Sequence, residues 1–174
     1  MNTAESSRLQ PDLPYTDNKP VGAADFYFAI NATFRFILQK LGLEHLRRYW
    51  TELGTKYFAP VSDGWKRRGL EGVAAYWRAF FAAEPGAEVE VSSTNNTVVL
   101  DVRVCPAILH LRSHGREIVP CFCQHCYFVS EAIGQPAGIT VRIEGGNGCC
   151  RQTFALRDIN LPPQDLANIK EARC

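Results

Sequence analysis

Between Pro120 and Cys126 the chain runs Pro-Cys-Phe-Cys-Gln-His-Cys, which puts three thiols and an imidazole within six residues. That is more soft-ligand and nucleophile capacity than packing requires. Two further cysteine positions are placed to join it: Cys105, where a strand ends, and Cys149-Cys150, where a later one begins. Pro106 suits the first position of a helix running to His114, so Cys105 is expected at the helix N-cap. A thiol there faces unsatisfied N–H groups and the positive end of the dipole, which favours the thiolate that a nucleophile or metal ligand needs. Cys121, Cys123 and Cys126 fall at the start of a second helix, from Cys123 to about Gly134, with Val129, Ala132 and Ile133 as its apolar side. A Cys-x-x-Cys pair at a helix start can hold zinc, an iron–sulfur cluster or a redox disulfide. Zinc takes four ligands, so Cys105, Cys121 or Cys150 would have to complete a site begun by Cys123 and Cys126. The surrounding elements are not βαβ, which argues against a thioredoxin-like reading.

Each candidate has an ordinary explanation beside the chemical one. A lone buried cysteine behaves as a small hydrophobe, and Cys149 and Cys174 are read that way or as exposed. Clustering favours function for Cys105, Cys123, Cys126 and Cys150, and Cys121 suits either role. His110 and His114 lie i, i+4 on one helical face, but they also occupy the last turn of a helix closed by Gly115, where histidine is locally favourable. His125, inside the cluster, is the candidate general base or thiol partner. His45 is read as surface or polar filler.

The elements that position these residues follow from hydrophobic period. Residues 23 to 41 repeat at 3.6, with Phe26, Ile30, Phe34, Ile37 and Leu41 on one stripe and Gly42 closing the helix. A second helix spans about Glu44 to Tyr57, and a third Leu70 to Ala83, ended by Pro85-Gly86. Between them, Val61 to Gly69 is polar and basic and reads as a solvated loop. The period then becomes 2. Val89, Val91 and Ser93 form one strand, and after an Asn95-Asn96 turn Val98, Leu100, Val102 and Val104 form its hairpin partner. Strands from about Gly138 to Glu144 and Cys150 to Leu156 follow, and parity points Cys150 inward and Cys149 away. Arg103, Arg142 and Arg151 are the candidate anchors for a substrate carboxylate, although parity sets each on an outward face.

The expected architecture is α+β: N-terminal helices packed on a mainly antiparallel sheet, with a further helix. The division is an extended arm over 1–20, one domain over 21–160, and a C-terminal tail over 161–174. A chain of 174 residues, 46% hydrophobic and 21% charged, can build a full core without disulfide staples. A formal charge of +1 gives no electrostatic case for nucleic acid or an anionic membrane. No run approaches the roughly 18 apolar residues a membrane helix needs. The first twenty residues, acidic and proline-bearing, lack the apolar core of a signal peptide. Seven cysteines, odd in number and bunched in the C-terminal half, point to cytoplasmic thiols or metal ligands rather than a secreted disulfide framework. Aromatic-rich helices beside a short sheet are compatible with a homodimer.

The strand ending in Cys105-Pro106, the Cys-x-Cys-x-His run at 121 to 125 and Gly145-Gly146-x-Gly-Cys-Cys leading to Phe154 resemble the L-2-amino-thiazoline-4-carboxylic acid hydrolase family. More distantly, they are similar to ligand-binding domains of the vinyl-reductase type. The resemblance covers roughly Gly69 to Phe154. It implies hydrolysis of a small sulfur–nitrogen heterocycle, a cyclic amidine, with Cys105, Cys123 and Cys150 carried over as site residues. The family tends to have acidic residues where this chain has Gln124-His125-Cys126 and Arg151-Gln152, so another thiazoline or amidine is an equal expectation. Two routes are open: attack by the thiolate of Cys105 or Cys123 with His125 moving protons, or water activated on zinc held by Cys105, Cys123, Cys126 and Cys150. With no zinc, no other cofactor is expected. The alternative function is a non-catalytic small-molecule or metal-sensing domain of the vinyl-reductase type.

Overall fold

The computed structural model of the chain describes residues 23–158 and 160–173, so the arm expected over 1–20 lies outside them. The elements are α1 (Phe26–Leu41), α2 (Leu43–Glu52) continued by a π-helical turn (Leu53–Tyr57), α3 (Ala59–Ala83), β1 (Glu88–Ser93), β2 (Thr97–Val104), α4 (Pro106–Ser113), a 3-10 turn (Pro120–Cys123), α5 (Gln124–Gly134), β3 (Ile139–Gly146), β4 (Cys149–Leu156) and β5 (Ile169–Lys170). The fold is α+β, with strand order β1-β2-β4-β3-β5. All pairs are antiparallel except β3 with β5.

Alternation in the strands dictates one buried face: Val98, Leu100 and Val102 of β2, Ile139, Val141 and Ile143 of β3, and Phe154 of β4. Helices α3 and α5 cover it, through Trp65, Val73, Ala74 and Ile133, to make the first core cluster. A second cluster joins α1, α2, α4 and the Pro120 turn through Phe34, Leu46, Trp50, Ile108, Leu111 and Phe122. Helix α5 packs close on the π-turn. A Cβ at Gly54 would lie 2.6 Å from the Val129 carbonyl and the Ala132 side chain, so only glycine permits that approach.

Three expectations are corrected. The polar stretch 61–69 is helical, because Ser62, Trp65, Val73 and Ala74 give one buried side along α3 while Lys66, Arg67 and Arg68 take the exposed one. Gly69, at φ 59 and ψ −144, kinks the helix there, and Pro60 is tolerated in its first turn. The buried stripe of α1 is also shorter than expected: Ile30, Phe34 and Ile37 face the helical cluster, but its two ends do not. Phe26 is 67% exposed and Leu41 55%, whereas Asn31 and Phe34 are buried. A buried asparagine breaks the apolar pattern but is satisfied: its Nδ2 donates to Glu117 O at 2.9 Å, and Val119 N donates to its Oδ1 at 3.1 Å. Finally, 161–173 is no separate tail. Ile169 and Lys170 pair with Gly145 and Gly146, Ile169 and Ala172 are buried, and Ala172 N donates to Pro120 O at 2.9 Å. No helix among the described residues is long and apolar enough to cross a membrane.

Candidate thiol site

Cys105, Cys123, Cys126 and Cys150 meet along the seam between the two core clusters. All four pack against the sheet-side cluster, and Cys105 and Cys123 also pack against the helical one. Each arrives for a local reason. Cys105 ends β2 and caps α4, with Pro106 in the first helical turn, as its sequence position requires. Cys123 caps α5, and Cys126 lies in that helix's first turn. Cys150 sits opposite Val102 in the β2–β4 register and so shares its inward face. Its neighbour Cys149 is exposed. Cys121 lies against the helical cluster alone.

The β3–β4 turn ties these segments together. Gly148 O accepts from Cys105 N at 2.8 Å, while the Asn147 amide donates to the Cys123 sulfur at 3.3 Å. The Asn147 side chain is fixed in turn, its Oδ1 accepting from Arg112 Nη2 at 2.5 Å and Arg173 N at 2.8 Å. The turn needs residues that accept positive φ, and Gly145, Gly146, Asn147 and Gly148 all have it. The C-terminal segment thereby braces both the turn and the Pro120 loop.

Electrostatics reverse one expectation. Burial first and the nearby Cys126 second push the Cys105 thiol up to about 11, outweighing the Ile108 and Ala107 amides and Arg112, which pull it down. Cys123 is raised to about 12 by burial and by Cys126, against the Asn147 and Gly148 amides. Burial raises Cys126 to about 12. Cys150 is raised as well, first by burial and then by Cys126, with Gln152 opposing. The helix N-terminus is real but smaller than desolvation, so the four groups are neutral thiols at neutral pH.

His125 stands beside Cys126 with its ring buried in the helical cluster. Its ring lies among Phe34, Trp50 and Phe122, with centroids 5.4, 6.4 and 5.1 Å away. Nδ1 is 2.7 Å from Phe122 O, which makes it the donor nitrogen. The Cys126 sulfur is 3.9 Å from Nδ1 and 3.8 Å from Nε2. With Nδ1 donating to the Phe122 carbonyl, Nε2 keeps the lone pair and lies within sulfur hydrogen-bond reach of the Cys126 thiol. Burial lowers the His125 pKa and keeps the ring neutral.

The three arginines expected to anchor a carboxylate are elsewhere. Arg103 pairs with Glu90 at 3.0 Å, Arg142 donates to Pro162 O at 2.7 Å, and Arg151 is exposed on β4. All are on the outward face of the sheet. His110 and His114 stack at 4.3 Å, and their polar bonds, to Asp25 and to His110 O, are local to the α1–α4 rim. Among the described residues no group of three or more Cys, His, Asp and Glu side chains is set to hold a metal ion.

Three polar side chains at the site escaped the sequence reading. Gln152, 4% exposed, donates to the Cys150 sulfur at 3.7 Å while its Oε1 is buried without a partner among the described residues. Tyr27 and Glu84 are hydrogen-bonded through the phenol and Oε2. Tyr27 lies near enough to Cys105 and Cys126 that their charge raises its pKa, behind burial and Glu84. Parity did place Gln152 on the inner face with Cys150. Tyr27 was hidden because it lies beside the expected stripe of α1, and Glu84 by its position at a helix end. No known family profile and no curated sequence matches the chain.

Proposed function

We propose that the chain is a thiol-dependent hydrolase of a small thiazoline or cyclic amidine, the activity implied by its resemblance to the L-2-amino-thiazoline-4-carboxylic acid hydrolase family. The observation that carries this reading is the gathering of four thiols from three separate segments at one seam. Cys105 and Cys123 are the nucleophile candidates, since backbone amides face both sulfurs and would stabilise charge developing there. In the reaction, the sulfur's electron pair forms an S–C bond to the ring carbon. The C=N π pair moves to the ring nitrogen, which takes the thiol proton. On collapse the pair of the other amidine nitrogen re-forms a C=N bond as a ring C–N or C–S bond breaks, that nitrogen's proton passing to the leaving atom. Water then adds at the same carbon and releases the thiol with its proton restored. The unpartnered Gln152 Oε1 is suited to accept an N–H from the amidine.

Turnover of 2-amino-thiazolines and simple cyclic amidines tests this. The wild-type protein should hydrolyse at least one of them. Cys105→Ser or Cys123→Ser, whichever replaces the nucleophile, should lose at least about a hundredfold in kcat. Tight binding without turnover would instead favour the second reading, a non-catalytic small-molecule or metal-sensing domain of the vinyl-reductase type. Its supporting observation is that four soft sulfur donors from three segments pack against one side of the same core cluster, the ligand type that a cation such as zinc takes. On that reading Cys105, Cys123, Cys126 and Cys150 are the ligands, drawing inward on binding. Zinc added to the protein should then release protons, because thiols must ionise to ligate.

A further inference from the structure

With Arg103, Arg142 and Arg151 on the outer sheet face, a substrate carboxylate needs another anchor. A groove of about 670 Å³ opens between the start of α5, the β3–β4 turn and the C-terminal segment, and Gln124, Asn147, Leu166, Lys170, Glu171 and Arg173 line it. Two of these side chains are turned by arginines that stand outside the groove. Arg47 Nη2 donates to Gln124 Oε1 at 3.4 Å. Arg112 Nη2 donates to Asn147 Oδ1 at 2.5 Å, and Arg173 N donates to the same oxygen at 2.8 Å. Guanidinium and main-chain N–H groups only donate, so both side-chain oxygens are committed and each amide keeps its NH2 for another partner. Neither NH2 group has a hydrogen-bond partner among the described residues. Lys170 and Arg173 are exposed beside them, and their side chains have no ion-pair partner among the described residues. Two amide donors and two cations against one carboxylate, Glu171, make a surface that takes an anion. The groove also borders the thiol site: Gln124 follows Cys123 in the chain, and the Asn147 main-chain amide donates to the Cys123 sulfur at 3.3 Å. We propose that this groove binds the carboxylate of a small organic acid, with the Gln124 and Asn147 NH2 groups as donors and Lys170 and Arg173 as countercharge. The inference rests on the hydrolase reading for the kind of acid, a carboxylate borne on a small sulfur–nitrogen ring, and it sets that ring beside Cys123.

The probe is thiazolidine-4-carboxylate, whose saturated ring has no C=N bond for a thiol to attack, and its neutral carboxamide is the comparison. Titrated into the isotope-labelled full chain at neutral pH and followed by NMR, the acid should shift the side-chain NH2 signals of Gln124 and Asn147. The carboxamide should bind at least about tenfold more weakly. Asn147→Asp keeps an acceptor for Arg112 and Arg173 N and tolerates the positive φ of 59, but it turns the free donor into a charged oxygen. It should weaken the acid by at least about tenfold, as should Lys170→Ala combined with Arg173→Ala. Glu171→Gln should tighten it, and Arg151→Ala, on the outer face, should change nothing. Equal binding of acid and carboxamide overturns the proposal, and so does an affinity indifferent to Asn147→Asp or an acid that shifts neither NH2 signal. If the double variant fails to fold, the wild-type comparison and Glu171→Gln still decide. Acid binding without thiazoline turnover would remove the hydrolase reading alone, and turnover without acid binding would remove this proposal alone.

Discussion

At the scale of single residues, position at a helix N-terminus did not decide the ionisation of Cys105. Its sulfur faces the Ala107 and Ile108 amides, yet burial and the proximity of Cys126 push it up to about 11. Cys126 raises Cys105, Cys123 and Cys150 alike, so Cys126→Ala should move their alkylation midpoints to lower pH. Cys121→Ala should move none of them, and mass-mapped alkylation across pH 7 to 12 checks both outcomes. The chain order displayed which residues carry sulfur and that Cys150 points inward while Cys149 does not. It could not display how deeply they are buried, because that depends on α3 and α1, contributed from far away in the chain. Tyr27 and Glu84 are 57 residues apart, and nothing local to either announces the other.

At the scale of elements, period and capping gave most helices and strands. They failed where a polar residue is buried with its partners supplied from elsewhere. Asn31 is the clearest case, since the backbone of 117–119 that satisfies it comes from another part of the chain. Asn31→Leu would widen the apolar stripe but leave the Glu117 carbonyl and Val119 amide unpaired. It should cost about 2 kcal/mol, read as a lower urea midpoint at unchanged slope. The C-terminal segment is the second failure, because two strand residues are too few to give a period. Gly146 holds it, with φ 139 and a would-be Cβ 2.5 Å from Lys170 O. Gly146→Ala should destabilise by about 2 kcal/mol or more, and should speed amide exchange at Ala172, whose donor bond to Pro120 depends on that docking.

At the scale of the whole molecule, two cores share one seam, and groups held neutral there make stability depend on pH from both sides. The buried thiols have folded pKa values above the ordinary thiol value of 9.0, so their contribution is complete below about pH 9. It is lost as pH rises through the folded values, where the unfolded chain has already released its protons. Tyr76, raised to about 12 by burial, acts with the same sign. His125 works oppositely: its folded pKa is below the ordinary imidazole value of 6.5, so its contribution is present above that value and lost as pH falls below it. Unfolding free energy should thus be level between about pH 6.5 and 9 and fall on either side. The acid limb should be shallower in His125→Phe and the alkaline limb shallower in Cys126→Ala.

The convergence of the four sulfurs is open to one direct measurement. Phenylarsine oxide loses water when it bridges two neighbouring thiols, so a gathered set captures it where scattered cysteines do not. One equivalent should bind per chain at neutral pH, mapped to Cys105, Cys123, Cys126 or Cys150, and serine replacements within that set should weaken it sharply. Capture at Cys121 or Cys149 instead, or binding indifferent to all four replacements, would contradict a single thiol site.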